Sequence, residues 1–130
     1  MSHSAYVCTA ETAVVPPSGA TVVLGSVPAF ATGCWQVTAK FKFTDNVSGQ
    51  VGAIIFRLTV HGGAPPVQVG ATENPSPLHT DIISPPSATL VINAGTRSVD
   101  AQLNNPVGAN AVRADVLFEV EFLSGPGVAP

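Results

Sequence analysis

Apolar residues along this chain alternate with polar ones at a period of two, and Pro and Gly interrupt the pattern at short intervals. That combination predicts many short β-strands joined by turns, and helical periodicity is essentially absent. The clearest strand covers residues 36–43, where Val37, Ala39, Phe41 and Phe43 share one face and Gln36, Thr38, Lys40 and Lys42 share the other. One face is set for a core and the other for water or a polar partner. Asp45-Asn46-Val47-Ser48-Gly49 follows with turn chemistry, so the run over 51–61 is expected to return antiparallel. The centre of that run, Ala53-Ile54-Ile55-Phe56, is apolar on both faces, as suits a strand in the middle of a sandwich or one with a subunit against its outer face. A second long alternation over 112–123 sets Val112, Ala114, Val116, Phe118, Val120 and Phe122 against Arg113, Asp115, Leu117, Glu119, Glu121 and Leu123.

Shorter strands are predicted over 12–15, 21–24, 67–71, 88–92 and 97–103, with turns at Pro16-Pro17-Ser18-Gly19, Gly62-Gly63-Ala64-Pro65-Pro66, Asn93-Ala94-Gly95 and Asn104-Asn105-Pro106. About eight strands in one unit of 130 residues suit an all-β domain, a jelly-roll-like or Greek-key β-sandwich. The sandwich is expected over 20–123, preceded by a leader and first strand over 1–19 and followed by an extended tail over 124–130. Residues 1–10 read as an uncharged leader outside the strand pattern. Residues 72–86 read as a long surface loop, because Pro75, Pro77, Pro85 and Pro86 forbid a continuous hydrogen-bonded ladder.

Charge changes the picture. Charged residues are only 10% of the chain, against roughly 25% in ordinary soluble domains, although the apolar share of 45% is unremarkable. So few charges imply that much of the surface is covered by something else, and favour a homo-oligomer. The net charge of −3 offers no basic field for phosphates, and Lys40, Lys42, Arg57, Arg97 and Arg113 are scattered, which disfavours nucleic acid. No apolar run reaches membrane-spanning length and the first residues lack a secretory pattern, so a cytoplasmic origin and no membrane partner are expected. In that compartment Cys8 and Cys34 are expected to be free thiols.

Candidate chemistry is sparse. His3, His61 and His79 lie far apart with no ligand-spaced Cys, Asp or Glu, so no metal, cofactor or catalytic site is expected. Glu119 and Glu121 have the same-face spacing of a glycosidase pair, but adjacent acids on a strand more often mark a solvated face. Trp35, at a strand entrance beside Gly33 and Cys34, has two readings: a plug for one end of the core, or a platform for stacking on a sugar ring. Tyr6, Val7 and Cys8 in the leader, Leu78 and His79 in the long loop, and Ile54 and Phe56 in the doubly apolar run are the candidate interface residues.

From about Thr21 to Phe122 the chain resembles the small β-sandwich domains of tailed-bacteriophage structural proteins, of head-decoration or tail-fibre type. The resembling elements are Val22-Val23-Leu24 with Val27-Pro28, the strand from Trp35 to Phe43, Val69-Gly70-Ala71-Thr72 and Ala88-Thr89-Leu90-Val91-Ile92. They continue with Arg97-Ser98-Val99 and Gly108 leading into Val112-Arg113-Ala114-Asp115-Val116. The resemblance implies a virion component, often a trimer, with no catalytic site. The expected role is a non-enzymatic capsid decoration (cement) protein on the outside of a phage head, with the major capsid protein or other virion subunits as partners. The alternative is a tail-fibre or receptor-binding module recognising host-surface glycans.

Overall fold

The computed structural model describes the backbone of residues 6–28, 33–63 and 65–124, and the side chains of these from Thr12 to Leu123. Eight strands follow one another: β1 (Tyr6–Val15), β2 (Thr21–Pro28), β3 (Gly33–Asp45), β4 (Val51–Gly62), β5 (Val67–Thr80), β6 (Ser87–Asn93), β7 (Ser98–Asn104) and β8 (Val112–Ser124). They form a five-stranded sheet in the order β1-β8-β3-β4-β5 and a three-stranded sheet in the order β2-β7-β6. Every pairing is antiparallel. The two sheets make a β-sandwich. Within the larger sheet, β3, β4 and β5 form a meander and β8 returns beside β3 after β6 and β7 have visited the other sheet, which is the Greek-key order.

The period-two alternation sorts side chains as the sequence requires. Val37, Ala39, Phe41 and Phe43 of β3, Leu58 and Val60 of β4, and Val112, Ala114, Val116, Phe118 and Val120 of β8 are buried on the inner face of the large sheet. Leu90, Val99, Ala101 and Leu103 meet them from the small sheet. Ile54 belongs to this core at 8% exposure, and Phe56 packs against it with its ring edge-on to Phe41, centroids 6.2 Å apart. Both candidate interface residues of β4 therefore face inward. The outward positions of its apolar run are Ala53 and Ile55. Gly52, opposite Phe43 in register, shows why a small residue is needed there: an added Cβ would come within 2.8 Å of Thr80 Oγ1 and 3.0 Å of the Phe43 ring.

Two expectations from sequence are corrected. Tyr6–Val15 is a single edge strand, so the second half of the expected leader pairs with β8 from Tyr6 opposite Glu121 to Ala10 opposite Leu117. Local sequence gave little alternation there; a long-range partner supplies the ladder. Met1 to Ala5 and the expected tail from Gly125 onward lie outside the described residues, as do the side chains of Tyr6, Val7 and Cys8. The expected loop over 72–86 is, as far as Thr80, the second half of β5. Pro75 and Pro77 are tolerated because β5 is an edge with one unpaired side, and its pairing to β4 absorbs three register shifts. Only 81–86, with Pro85 and Pro86, remains a connection.

Both outer ends of the terminal strands lie together. Tyr6 at the start of β1 stands opposite Glu121 near the end of β8, at the same end of the sandwich as Trp35. Asp45 marks the other end, where the connections 16–20, 46–50, 81–86 and 105–111 gather.

Truncating Phe41 or Phe118 to Ala should each cost about 3–5 kcal/mol, read as a lowered urea midpoint, because both rings are sealed in the core. Deleting residues 1–10 should lower the melting temperature of the isolated chain, because the ladder of β8 loses its partners from Leu117 to Glu121.

Candidate functional site

The Asp45 end carries a polar cluster that ties three connections together. Asp45 is the next inward residue in the β3 alternation, and its side chain folds back over the turn instead of entering the core. Its Oδ1 accepts hydrogen bonds from the backbone N–H groups of Val47 (2.8 Å) and Ser48 (2.9 Å), while Gly49, at φ 75°, closes the turn by donating to Asp45 O. Asn110 Nδ2 bridges both carboxylate oxygens at 3.2 and 3.1 Å, and Asn46 N donates to Ala111 O at 3.0 Å, so the β7–β8 connection is tied to the β3–β4 turn. That connection is itself pinned by Asn105, fully buried, which donates to Val15 O (3.1 Å) and Asn110 O (2.9 Å). From the third side, Asp81 Oδ1 accepts from Val51 N at 2.8 Å, and Ile82 N donates to Thr80 Oγ1 at 3.0 Å. Ile82 is anchored at 7% exposure and Ile83 is left 91% exposed beside it.

These three connections enclose a cleft of about 230 Å³. Asp45, Ser48 and Gln50 line one wall, Asn110 with Gly108 and Ala109 a second, and Ile82, Ile83 and Ser84 the third. The backbone N–H groups of Ser48 and then Val47 hold the Asp45 carboxyl below the ordinary aspartate range, with burial opposing and Asn110 adding to the lowering. It is therefore a carboxylate at neutral pH. The cleft combines a fixed acceptor, amide groups that donate and accept, hydroxyls, and an apolar wall. A cleft of this kind can offer hydrogen bonds and aliphatic contact to a polar ligand.

The residues singled out from sequence do not converge here. Trp35 lies at the opposite end, packed against the core with its ring tilted on Phe122, centroids 4.5 Å apart. That is the position of a plug at the end of the core. Leu78 also packs against the core from β5, whereas His79 is exposed opposite Ala53. Among the described residues no three His, Cys, Asp or Glu side chains gather as metal ligands. Glu119 is held by Lys40 at 2.7 Å on the outer face of the large sheet. Cys34 is a free, half-buried thiol. Cys8 is in register, through Glu119, with Thr38, four residues along β3 from Cys34, which exceeds the roughly 7 Å reach of a disulfide. The Asp45 turn was legible as a turn; its partner Asn110, 65 residues away, carries no local signal.

No protein-family model matches the chain, and no curated protein is recognisably similar to it. A solved structure shares its fold. The tailspike protein of Acinetobacter baumannii phage AM24 superposes on 95% of this chain with a TM-score of 0.60 at 9% identity. The tailspike protein of Acinetobacter phage vB_ApiP_P1 matches over 92% with a TM-score of 0.49 at 14% identity. The chain spans only about a quarter of those proteins, 27% and 22% of their lengths. The first likeness shows a fold shared over 95% of the chain.

Asp45 gives a pH dependence whose sign follows from its lowered pKa. Its contribution to stability is present above the unfolded-state value of about 3.9 and is lost as the pH falls through the lower folded-state value. An Asp45→Asn variant should lose this part of the acid sensitivity, so its urea midpoints should fall less steeply than the parent's between neutral pH and acid.

Proposed function

We propose that this chain is a non-enzymatic β-sandwich module of a bacteriophage tail protein of spike or fibre type, one that contacts host-surface glycans through the cleft at its Asp45 end. The observation that supports this most is the match of 95% of the chain, as one sandwich, to part of a phage tailspike protein. The module works as one of several copies, with a trimer the favoured number, and other virion subunits as neighbours. In this reading the cleft meets the sugar in place of Trp35, whose ring packs against the core and on Phe122. The cleft lies at the end away from the start of β1 and the close of β8.

Capsid decoration remains the second reading, favoured by the low charge content of a small sandwich. The tail reading comes first because a solved structure that superposes on 95% of the chain is a tailspike protein. Antibody-gold labelling of purified particles separates them. Label at the tail with few copies per particle supports the proposal, and label spread over the head in stoichiometry with the shell protein overturns it in favour of decoration. Within the tail reading, Ala109→Trp, which fills the cleft from a surface loop, should abolish binding of the chain to host-envelope polysaccharide without lowering its melting temperature. Unchanged binding would remove the cleft from the proposal.

A further inference from the structure

The two outer faces of this sandwich differ sharply in charge. On the large sheet the outward positions of β3, β4 and β8 hold Lys40, Lys42, Arg57, Arg113, Asp115, Glu119 and Glu121, which is every Lys and Arg of the chain except Arg97. On the small sheet the outward positions are Thr21, Val23, Ser26 and Pro28 of β2, Ser98, Asp100, Gln102 and Asn104 of β7, and Ser87, Thr89, Val91 and Asn93 of β6. Asp100 is the one ionisable group among them, and it is sealed. At 4% exposure it accepts from Ser26 Oγ and Ser98 Oγ, each at 2.7 Å, and from Asn93 Nδ2 at 3.2 Å. The accessible part of this face is therefore poor in charge, with hydroxyls and carboxamides around the exposed Val23.

We propose that this outer face of the small sheet is where copies of this chain pack on one another, a deepening that rests on the reading of the chain as an assembly module. A second copy fits better than an unlike partner because Thr89, Gln102, Asn104 and Ser87 each carry both donors and acceptors, so the face complements itself. It also carries its own knob and hole: Val23 projects at 52% exposure beside a depression of about 160 Å³ between Thr21, Ser87, Thr89, Gln102 and Asn104. A two-fold neighbour can use both reciprocally, and in a cyclic ring each copy's Val23 can enter the next copy's depression. Charged residues are depleted from the buried centre of protein interfaces, and this face is poor in them whereas the other sheet is rich in them.

Sedimentation equilibrium of the chain tests this with two charge variants, Thr89→Lys with Gln102→Lys, and Thr89→Glu with Gln102→Glu. The parent should self-associate with rising concentration, each double variant alone should weaken association by about tenfold or more through like-charge contact, and an equimolar mixture should recover it. The pair Lys40→Glu with Lys42→Glu, on the opposite face, should leave association at the parent level. A parent that stays monomeric, double variants that associate like the parent, or loss of association only in the Lys40 and Lys42 variant would each overturn the proposal. These outcomes are independent of the label on particles: tail labelling with any of them sinks the interface alone, while head labelling with the expected outcomes sinks the tail reading alone.

Discussion

The position of β8 between β1 and β3 is the constraint on which the rest of this structure depends. Its residues from Val112 to Glu121 are in register with β1 on one side and β3 on the other, so one strand near the end of the chain completes pairings that begin with Tyr6 and Gly33. Its inward side chains, with Phe118 at the centre, fill the space against Phe41 and Leu103. Until β8 docks, β1 has no ladder and the meander of β3, β4 and β5 has an open edge. These contacts span most of the chain, so loop closure precedes most of their stabilisation, and folding of such a topology is slow relative to a helical domain of equal size.

The same register decides what each surface presents. Because β3 and β8 run side by side, Lys40 meets Glu119 and the charged positions fall into mixed rows that suit water. The small sheet instead buries its only acid, Asp100, among the hydroxyls of Ser26 and Ser98 and the carboxamide of Asn93. The Asp45 end is built by a third device, in which a turn carboxylate, a distant carboxamide and a pinned connection hold three loops at fixed spacing around the cleft. Mixed charge, a charge-poor polar face and a loop-lined cleft thus occupy separate parts of one small domain.

Much of this was legible in the sequence where local chemistry and tertiary structure agree. The alternation from Val37 to Phe43 and from Val112 to Phe122 named the core faces, and the turn at Asp45 was visible from residue type alone. Ile54 and Phe56 were misplaced because a strand apolar on both sides does not reveal which side is buried; Gly52, Leu58 and Val60 settle it by packing. Pro75 and Pro77 pointed to a loop because a strand's position at a sheet edge is a property of topology, and only an edge tolerates them. Tyr6 to Ala10 were passed over for the related reason that their strand character is conferred by β8. The cleft was invisible because Asp45, Ile82 and Asn110 are brought together only by the finished fold.

The shared end of β1 and β8 also fixes how the domain answers mechanical load. A force applied between Tyr6 and Ser124 acts at adjacent ends of two antiparallel neighbours, across the ladder instead of along it. Their hydrogen bonds then open one pair after another, like a zipper, starting from the Trp35 end and running toward Val15 and Val112. Shear, which loads all the bonds of a ladder together, would require the pull to run from one end of the sandwich to the other. Under tension through these two strands the cleft end is therefore the last part of the pair to part.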